Sequence, residues 1–207
     1  MEIRIADKIV LMKLLLHTCC APCSVACIAA LREEGIEPVL FWYNPNIHPS
    51  REYASRRDTL VRYAGDLGLD LVMEDEYGLR PFIAGLCRGM CGLSPARSSG
   101  PARKPGGPEL FGKEGGNRCA YCYRIRLAGT AALARERGFD AFSTTLLISP
   151  YQNHELLAQT AREAGGSLFL YRDFRPRFRQ GQAEARRLGL YMQKYCGCIF
   201  SEEERYA

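Results

Sequence analysis

A chain of 207 residues with 47% apolar and 25% charged side chains has the balance of a globular protein. It is long enough for one sizeable core and too short for two full ones, and no apolar run approaches the roughly 20 residues needed to span a bilayer. The net charge is +5, but residues 118–137 hold five arginines against Glu136, and residues 172–187 hold six against Asp173 and Glu184. Such blocks suit a polyanionic partner, and they suit solvated helix faces equally well.

The first apolar run, about 9–16, resembles a signal-peptide core, but Lys13 interrupts it and no small-residue cleavage site follows. It therefore reads as a buried strand of a cytoplasmic protein, with Met12 an alternative start. A helical pattern at 22–34 ends at Gly35, and a strand follows at 38–42. A second helix at 50–67 ends at Gly68, with a strand at 69–73. From about 95 to 117 periodicity fails among Gly, Pro, Ser, Arg and Lys, so residues 87–117 are expected to form an insertion or mobile loop. A helix at 119–137 ends at Gly138; a strand at 140–144, a helix at 151–165 and a strand at 167–170 follow. The end reads as a helix from Pro176 to about Leu188, then a tail at 189–207 carrying Tyr195-Cys196-Gly197-Cys198. Strand alternating with helix predicts one α/β domain over 1–207, with an open parallel sheet and helices on both faces. Ligands of such sheets sit beyond the carboxyl ends of the strands. That rule gathers 17–23, 43–48, 144–151 and Asp173 at one edge.

Ten cysteines in a chain read as cytoplasmic point to metal binding or redox chemistry rather than a disulfide framework. Cys19, Cys20 and Cys23 form C-C-A-P-C at a strand-to-helix turn, where Pro22 suits the first helical turn and the helix N-terminus favours thiolates. Cys119 and Cys122 form C-x-x-C at the start of a later helix. Together the two elements, converging on one edge, supply the four thiolates that a [4Fe-4S] cluster needs. Structural zinc is the alternative. Cys196 and Cys198 would close a tight, easily reduced ring on oxidation, or serve as further metal ligands. Cys27 reads as a small core residue, and Cys87 and Cys91 as features of the insertion. His17 is either a residue tuning the metal or a satisfied polar group at a strand end, while His48 and His154 stand alone. Gly112, Gly115 and Gly116 follow no strand, so no nucleotide site is assigned to them.

The run L-L-L-H-T-C-C-A-P-C-S at 14–24, Tyr43-Asn44-Pro45-Asn46-Ile47, Glu52-Tyr53 with Arg56, and Arg118-Cys119-x-x-Cys122-Tyr123-x-x-Arg126-Leu127 resemble the QueH-type epoxyqueuosine reductases. Thr144-Thr145-Leu146, Ser149-Pro150-Tyr151, Asp173-Phe174 and Tyr195-Cys196-Gly197-Cys198-Ile199-Phe200-Ser201 extend the resemblance over nearly the whole chain from Lys13. It implies a fold similar to adenine-nucleotide α-hydrolases (HUP folds), a [4Fe-4S] cluster, and reduction of epoxyqueuosine to queuosine at the wobble position of tRNA. By the same resemblance Cys19, Cys20, Cys119 and Cys122 hold the cluster, and Cys196 with Cys198 is the redox pair. Cys23 and Asp173 are candidates for an additional iron, and Tyr43, Asn44, Asn46, Thr144, Thr145 and Arg126 for substrate binding. The segment from 87 to 117 is longer and richer in cysteine than that pattern. The expected partners are tRNA and an unidentified electron donor, with no membrane. Two rival readings remain open: a nucleotide-dependent tRNA-modifying enzyme, which needs a Gly/Ser-rich turn that the first strand lacks, and a zinc-stabilised RNA-binding module.

Overall fold

Four of the short apolar runs become strands: β1 (Leu14–His17), β2 (Val39–Trp42), β3 (Leu71–Met73) and β4 (Ala141–Thr144). They form a parallel sheet in the order β3-β2-β1-β4 in this computed structural model, which describes residues 12–91 and 117–207. β1 is flanked on both sides, Leu15 registering with Val39 of β2 and with Phe142 of β4. That position explains its uninterrupted Leu-Leu-Leu, since both faces of a central parallel strand are buried.

The helices are α1 (Ala21–Glu33), α2 (Ser50–Leu67), α3 (Leu79–Cys91), α4 (Asn117–Glu136), α5 (His154–Gly165), α6 (Phe178–Arg187) and α7 (Ile199–Tyr206). α1, α2 and α4 stop just short of Gly35, Gly68 and Gly138, as the sequence predicts. α1 packs against α2 and α6, and α4 against α5 and the sheet. Right-handed crossovers place α1 and α2 on one face and α4 on the other. β1 and β4 are neighbours whose connections leave in opposite directions. The crevice beyond their carboxyl ends is the topological switch point of the sheet.

Three expectations need correcting. The strand expected at 167–170 contracts to one bridge, Phe169 to Phe142, with Leu170 N–H donating to the Phe142 carbonyl at 2.8 Å, because a 3-10 turn over Gly166–Leu168 occupies the approach. α3 begins before the expected insertion and runs into it. Gly78, Pro81 and Gly85 hide it in the sequence, yet a Cβ on Gly85 would lie 1.8 Å from the Tyr121 hydroxyl of α4, so this glycine permits close helix packing. The tail, to which the sequence assigns no helix, contains α7. Residues 92–116, most of the expected insertion, lie outside the described residues, as do 9–11 of the first strand. The Cys91 side chain lies outside them too.

Candidate functional site

β1 delivers Cys19 and Cys20 directly into the switch-point crevice, and α1 starts at once, with Cys20 as its N-cap and Pro22 in its first turn. Cys23 sits one turn along. The three sulfurs lie within 4.8 Å of one another, all buried, and form a group able to hold a metal. Cys19 Sγ is 3.8 Å from Cys20 Sγ and accepts from the Thr145 hydroxyl at 3.5 Å. Hydrogen bonds from the Cys20 and Cys23 thiols, then from Thr145, with Arg126 nearby, hold the Cys19 thiol well below its ordinary range against the cost of burial. Burial pushes the Cys20 thiol up, and the hydrogen bond that Cys23 itself makes to Cys19 pushes up Cys23. Protons thus restrain the trio from carrying three charges; a metal would displace them.

Across the crevice, α4 begins at Asn117, so Cys119 and Cys122 share one face of its first turns. Burial pushes the Cys122 thiol up to about 12, while Arg126 opposes the rise. Arg126, 4% exposed, donates to Cys122 Sγ at 2.9 Å and to its carbonyl at 3.2 Å. It makes no ion pair with a carboxylate among the described residues. A buried guanidinium without a carboxylate leaves several kcal/mol of desolvation to be offset by some other anion. Cysteine sulfur is what lies beside it, Cys122 in contact and Cys19 and Cys196 nearby. Arg118, also buried, pairs with Glu204 of α7 at 2.6 Å.

The third cysteine element comes from the tail. Cys198 is the N-cap of α7, its sulfur accepting from Ser201 N–H at 3.4 Å, and Cys196 Sγ lies 3.9 Å away as a free thiol. A hydrogen bond from Cys196, then one from Ser201, lowers the Cys198 thiol to about 7; the same contact keeps Cys196 protonated. Gly197 between them has φ +119, a conformation that side chains rarely adopt. Arg56 of α2 clamps this turn, donating to the carbonyls of Tyr195 at 2.9 Å and Cys196 at 3.1 Å while it pairs with Glu52 at 2.6 Å. The Tyr191 hydroxyl donates to Glu52 as well.

Two neighbouring cavities open among these elements. The larger, about 370 Å³, is lined by Cys19, Cys23, Thr145, Gln152, Gln193 and Cys196 among others, and the smaller, about 30 Å³, by Asn46, Cys119, Cys122, Arg126, Cys196 and Cys198 among others. Cys196 faces both. Among the residues predicted for substrate binding, Thr145, Arg126 and Asn46 therefore line cavities. Tyr43, Asn44 and Thr144 line neither. Buried His17, brought down to about 4 by burial, is neutral, so its one N–H must donate to the Tyr43 carbonyl from Nε2 (3.2 Å). Its Nδ1 then accepts from the Thr144 hydroxyl at 2.9 Å. Asn44 donates to the Thr18 carbonyl at 2.9 Å, and the Tyr43 ring lies against Gly129 of α4.

Asp173 does not join the cysteines. It pairs with Arg175 at 2.6 Å on the surface and lines a different depression with Glu33, Glu34 and Arg177, because the chain turns outward after the shortened 167–170 segment. The basic blocks change meaning too: Arg172, Arg175, Arg177 and Arg187 are held by Glu34, Asp173, Glu33 and Glu184. Cys27 is a buried core residue and Cys87 is exposed on α3. His48 packs between the rings of Tyr77 and Phe82, and His154 contacts the Ser149 carbonyl. Sequence reasoning missed Gln193, whose amide donates to Cys20 Sγ at 3.0 Å and Cys23 Sγ at 3.4 Å, and Gln152, whose oxygen accepts from the Tyr123 hydroxyl at 2.7 Å. Nothing in local pattern singles out a glutamine; only its proximity to Tyr-Cys-Gly-Cys in one case and Ser-Pro-Tyr in the other marked the place.

Fold and site define an α/β protein with a buried cysteine group at its switch point, able to bind a metal. Its sequence matches the model of the family described as epoxyqueuosine reductase QueH over residues 14–92 and 109–204, and the chain belongs to that family. The unmatched stretch, 93–108, falls within the expected insertion. Among its relatives, the epoxyqueuosine reductase QueH of Dehalococcoides mccartyi is 32% identical over 94% of this chain and 94% of its own. That of Thermotoga maritima is 34% identical over 92% of this chain and 91% of its own, and that of Acinetobacter baylyi 32% over 91% and 80%.

Proposed function

We infer that the chain is an epoxyqueuosine reductase, an oxidoreductase that removes the epoxide oxygen of epoxyqueuosine in tRNA to leave queuosine. The family match carries this reading over nearly the whole chain. We propose further that Cys19, Cys20, Cys119 and Cys122 hold a [4Fe-4S] cluster, with Cys196 and Cys198 as a redox pair. The supporting observation is the convergence of thiols with positive charge: the first turns of α1 and α4 and the N-cap of α7 all bring cysteines to one crevice, beside buried Arg126. The Cys19-Cys20-Cys23 trio alone has the donors for one thiophilic ion, and the α4 pair adds those a cluster needs.

Converting an epoxide to an alkene consumes two electrons and two protons and releases water. When bound, the cluster would supply one-electron storage, and Lewis acidity would have to come from an additional iron beside it, because four cysteines fill the cluster's own corners. The residues of the chain do the rest. Oxidation of the Cys196-Cys198 dithiol to a disulfide releases two electrons and two protons, which matches the stoichiometry, and Cys196 lies where the two cavities meet. Gln193 N–H groups on the Cys20 and Cys23 sulfurs disperse thiolate charge. Thr145 and Gln152 present polar groups to the cavity that receives the modified base.

Protein prepared without oxygen is expected to be brown, with iron and acid-labile sulfide near four each per chain, as roughly expected for one such cluster. Cys119→Ala and Cys122→Ala should lose iron and activity, and Cys87→Ala neither. Stoichiometric zinc without sulfide would replace the cluster reading with the structural-zinc one.

A further inference from the structure

Tyr151 is 76% exposed, more than any other large apolar side chain among the described residues, yet it lines the larger cavity. It is not loose. Its N–H donates to the Ser149 hydroxyl at 3.3 Å, and the Ser149 carbonyl contacts His154 Nε2 at 2.9 Å. The next residue, Gln152, is tied to Tyr123, and Asn153 caps α5 by accepting from Leu156 N–H at 3.0 Å. The ring itself stands edge-on to Phe178 of α6, with centroids 6.0 Å apart and planes at 85°. A rigid turn therefore presents an aromatic ring to solvent at the mouth of the site, where it contributes little to the core.

We propose that Tyr151 is a stacking platform for a nucleobase next to the one entering the cavity. The proposal deepens the reading of the substrate as tRNA and rests on it. A cavity of about 370 Å³ lies at the small end of the range for ligand sites, which suits one modified base rather than a length of strand. That base must leave its stack, and its neighbour loses a partner when it does. An exposed, fixed ring at the rim replaces that partner without reading sequence. Phe178 holds the ring upright. Arg179, exposed, one residue further along α6 and without an ion pair among the described residues, offers the adjoining phosphate a cation. A duplex offers no free base face, so the site selects a single-stranded loop.

The test uses anaerobically prepared protein and a stem-loop RNA with 2-aminopurine beside the target position, read by anisotropy and by quenching of the aminopurine. Tyr151→Ala should weaken loop binding roughly tenfold or more and abolish the quenching, whereas Tyr151→Phe and Tyr151→Trp stay within about twofold of the parent. A fully paired RNA should bind all four proteins alike, and the slope of affinity against salt should not change, because stacking releases no counterions. Loop affinity of Tyr151→Ala within about twofold of the parent, or equal weakening toward loop and duplex, would overturn the platform. The two readings fail separately. A parent protein that reduces tRNA-bound epoxyqueuosine while Tyr151→Ala binds the loop normally sinks only the platform; a parent that never reduces it, yet shows the Tyr151-dependent quenching, sinks only the reductase.

Discussion

Cys196 and Cys198 are separated by one glycine, yet the fold treats them differently. Cys196 is exposed and protonated at the junction of the cavities, while Cys198 is buried, caps α7 and is lowered to about 7 by hydrogen bonds from Cys196 and Ser201. If they act as a redox pair, Cys198→Ala should retain iron and colour but fail to convert epoxyqueuosine-containing tRNA, as read by mass spectrometry of digested nucleosides. A colourless variant would make Cys198 a ligand, and a coloured, active one would remove it from the mechanism. His48 makes a different prediction. Burial lowers it from 6.5 to about 4, so between those values the unfolded chain binds the proton and the folded one does not. Its contribution to stability is present above about pH 6.5 and is lost as pH falls toward 4, at a slope of up to roughly 1.4 kcal/mol per pH unit. Urea unfolding of the parent and of His48→Leu should diverge in this window, the variant being flatter; parallel curves would mean that His48 titrates normally.

At the scale of elements, α2 governs the tail more than the tail's own sequence does. Arg56, 2% exposed, ties Tyr195 and Cys196 to Glu52, and Tyr191 reaches the same carboxylate from the other side. Arg56→Met leaves Glu52 buried without its cation, a change that costs on the order of 3–5 kcal/mol when such a pair is broken. Limited proteolysis should then cut between α6 and α7 faster than in the parent, and turnover should fall with it. Unaltered cleavage would show that α7 and its Arg118–Glu204 pair hold the tail without help. Glu52 and Arg56 were visible in the sequence only as parts of a motif. Their i, i+4 spacing announces a helix pair; that its target is the backbone of a turn about 140 residues away appears only in three dimensions.

Over the whole molecule, charge is less available than its total suggests. Arg118 and Arg126 are buried at the cysteines, and four arginines of the second block are neutralised by neighbouring carboxylates. Binding to tRNA should still weaken with salt, and each cation that neutralises a phosphate should add about 0.9 to the log–log slope. Arg179→Ala should reduce that slope by roughly one, and Arg187→Ala, already paired with Glu184, by less. An affinity indifferent to salt would point to a free nucleoside as substrate.

The sequence by itself determined the strands β1 to β4, the helices α1, α2, α4, α5 and α6, and the cysteines that gather at one edge of a parallel sheet. Period, glycine stops and C-x-x-C spacing are local signals, and strand ends in such sheets lead to one side. What tertiary structure decided was every relation across that edge. The fifth strand shrank to a bridge because a turn took its approach, and Asp173 swung away to Arg175 in consequence. α3 and α7 formed where glycine, proline and short length masked them. Gln193 reached the sulfurs of Cys20 and Cys23 across 173 and 170 residues, and Arg126 found thiol rather than carboxylate. Such contacts depend on which surfaces the packed helices bring together, and no spacing along the chain encodes that.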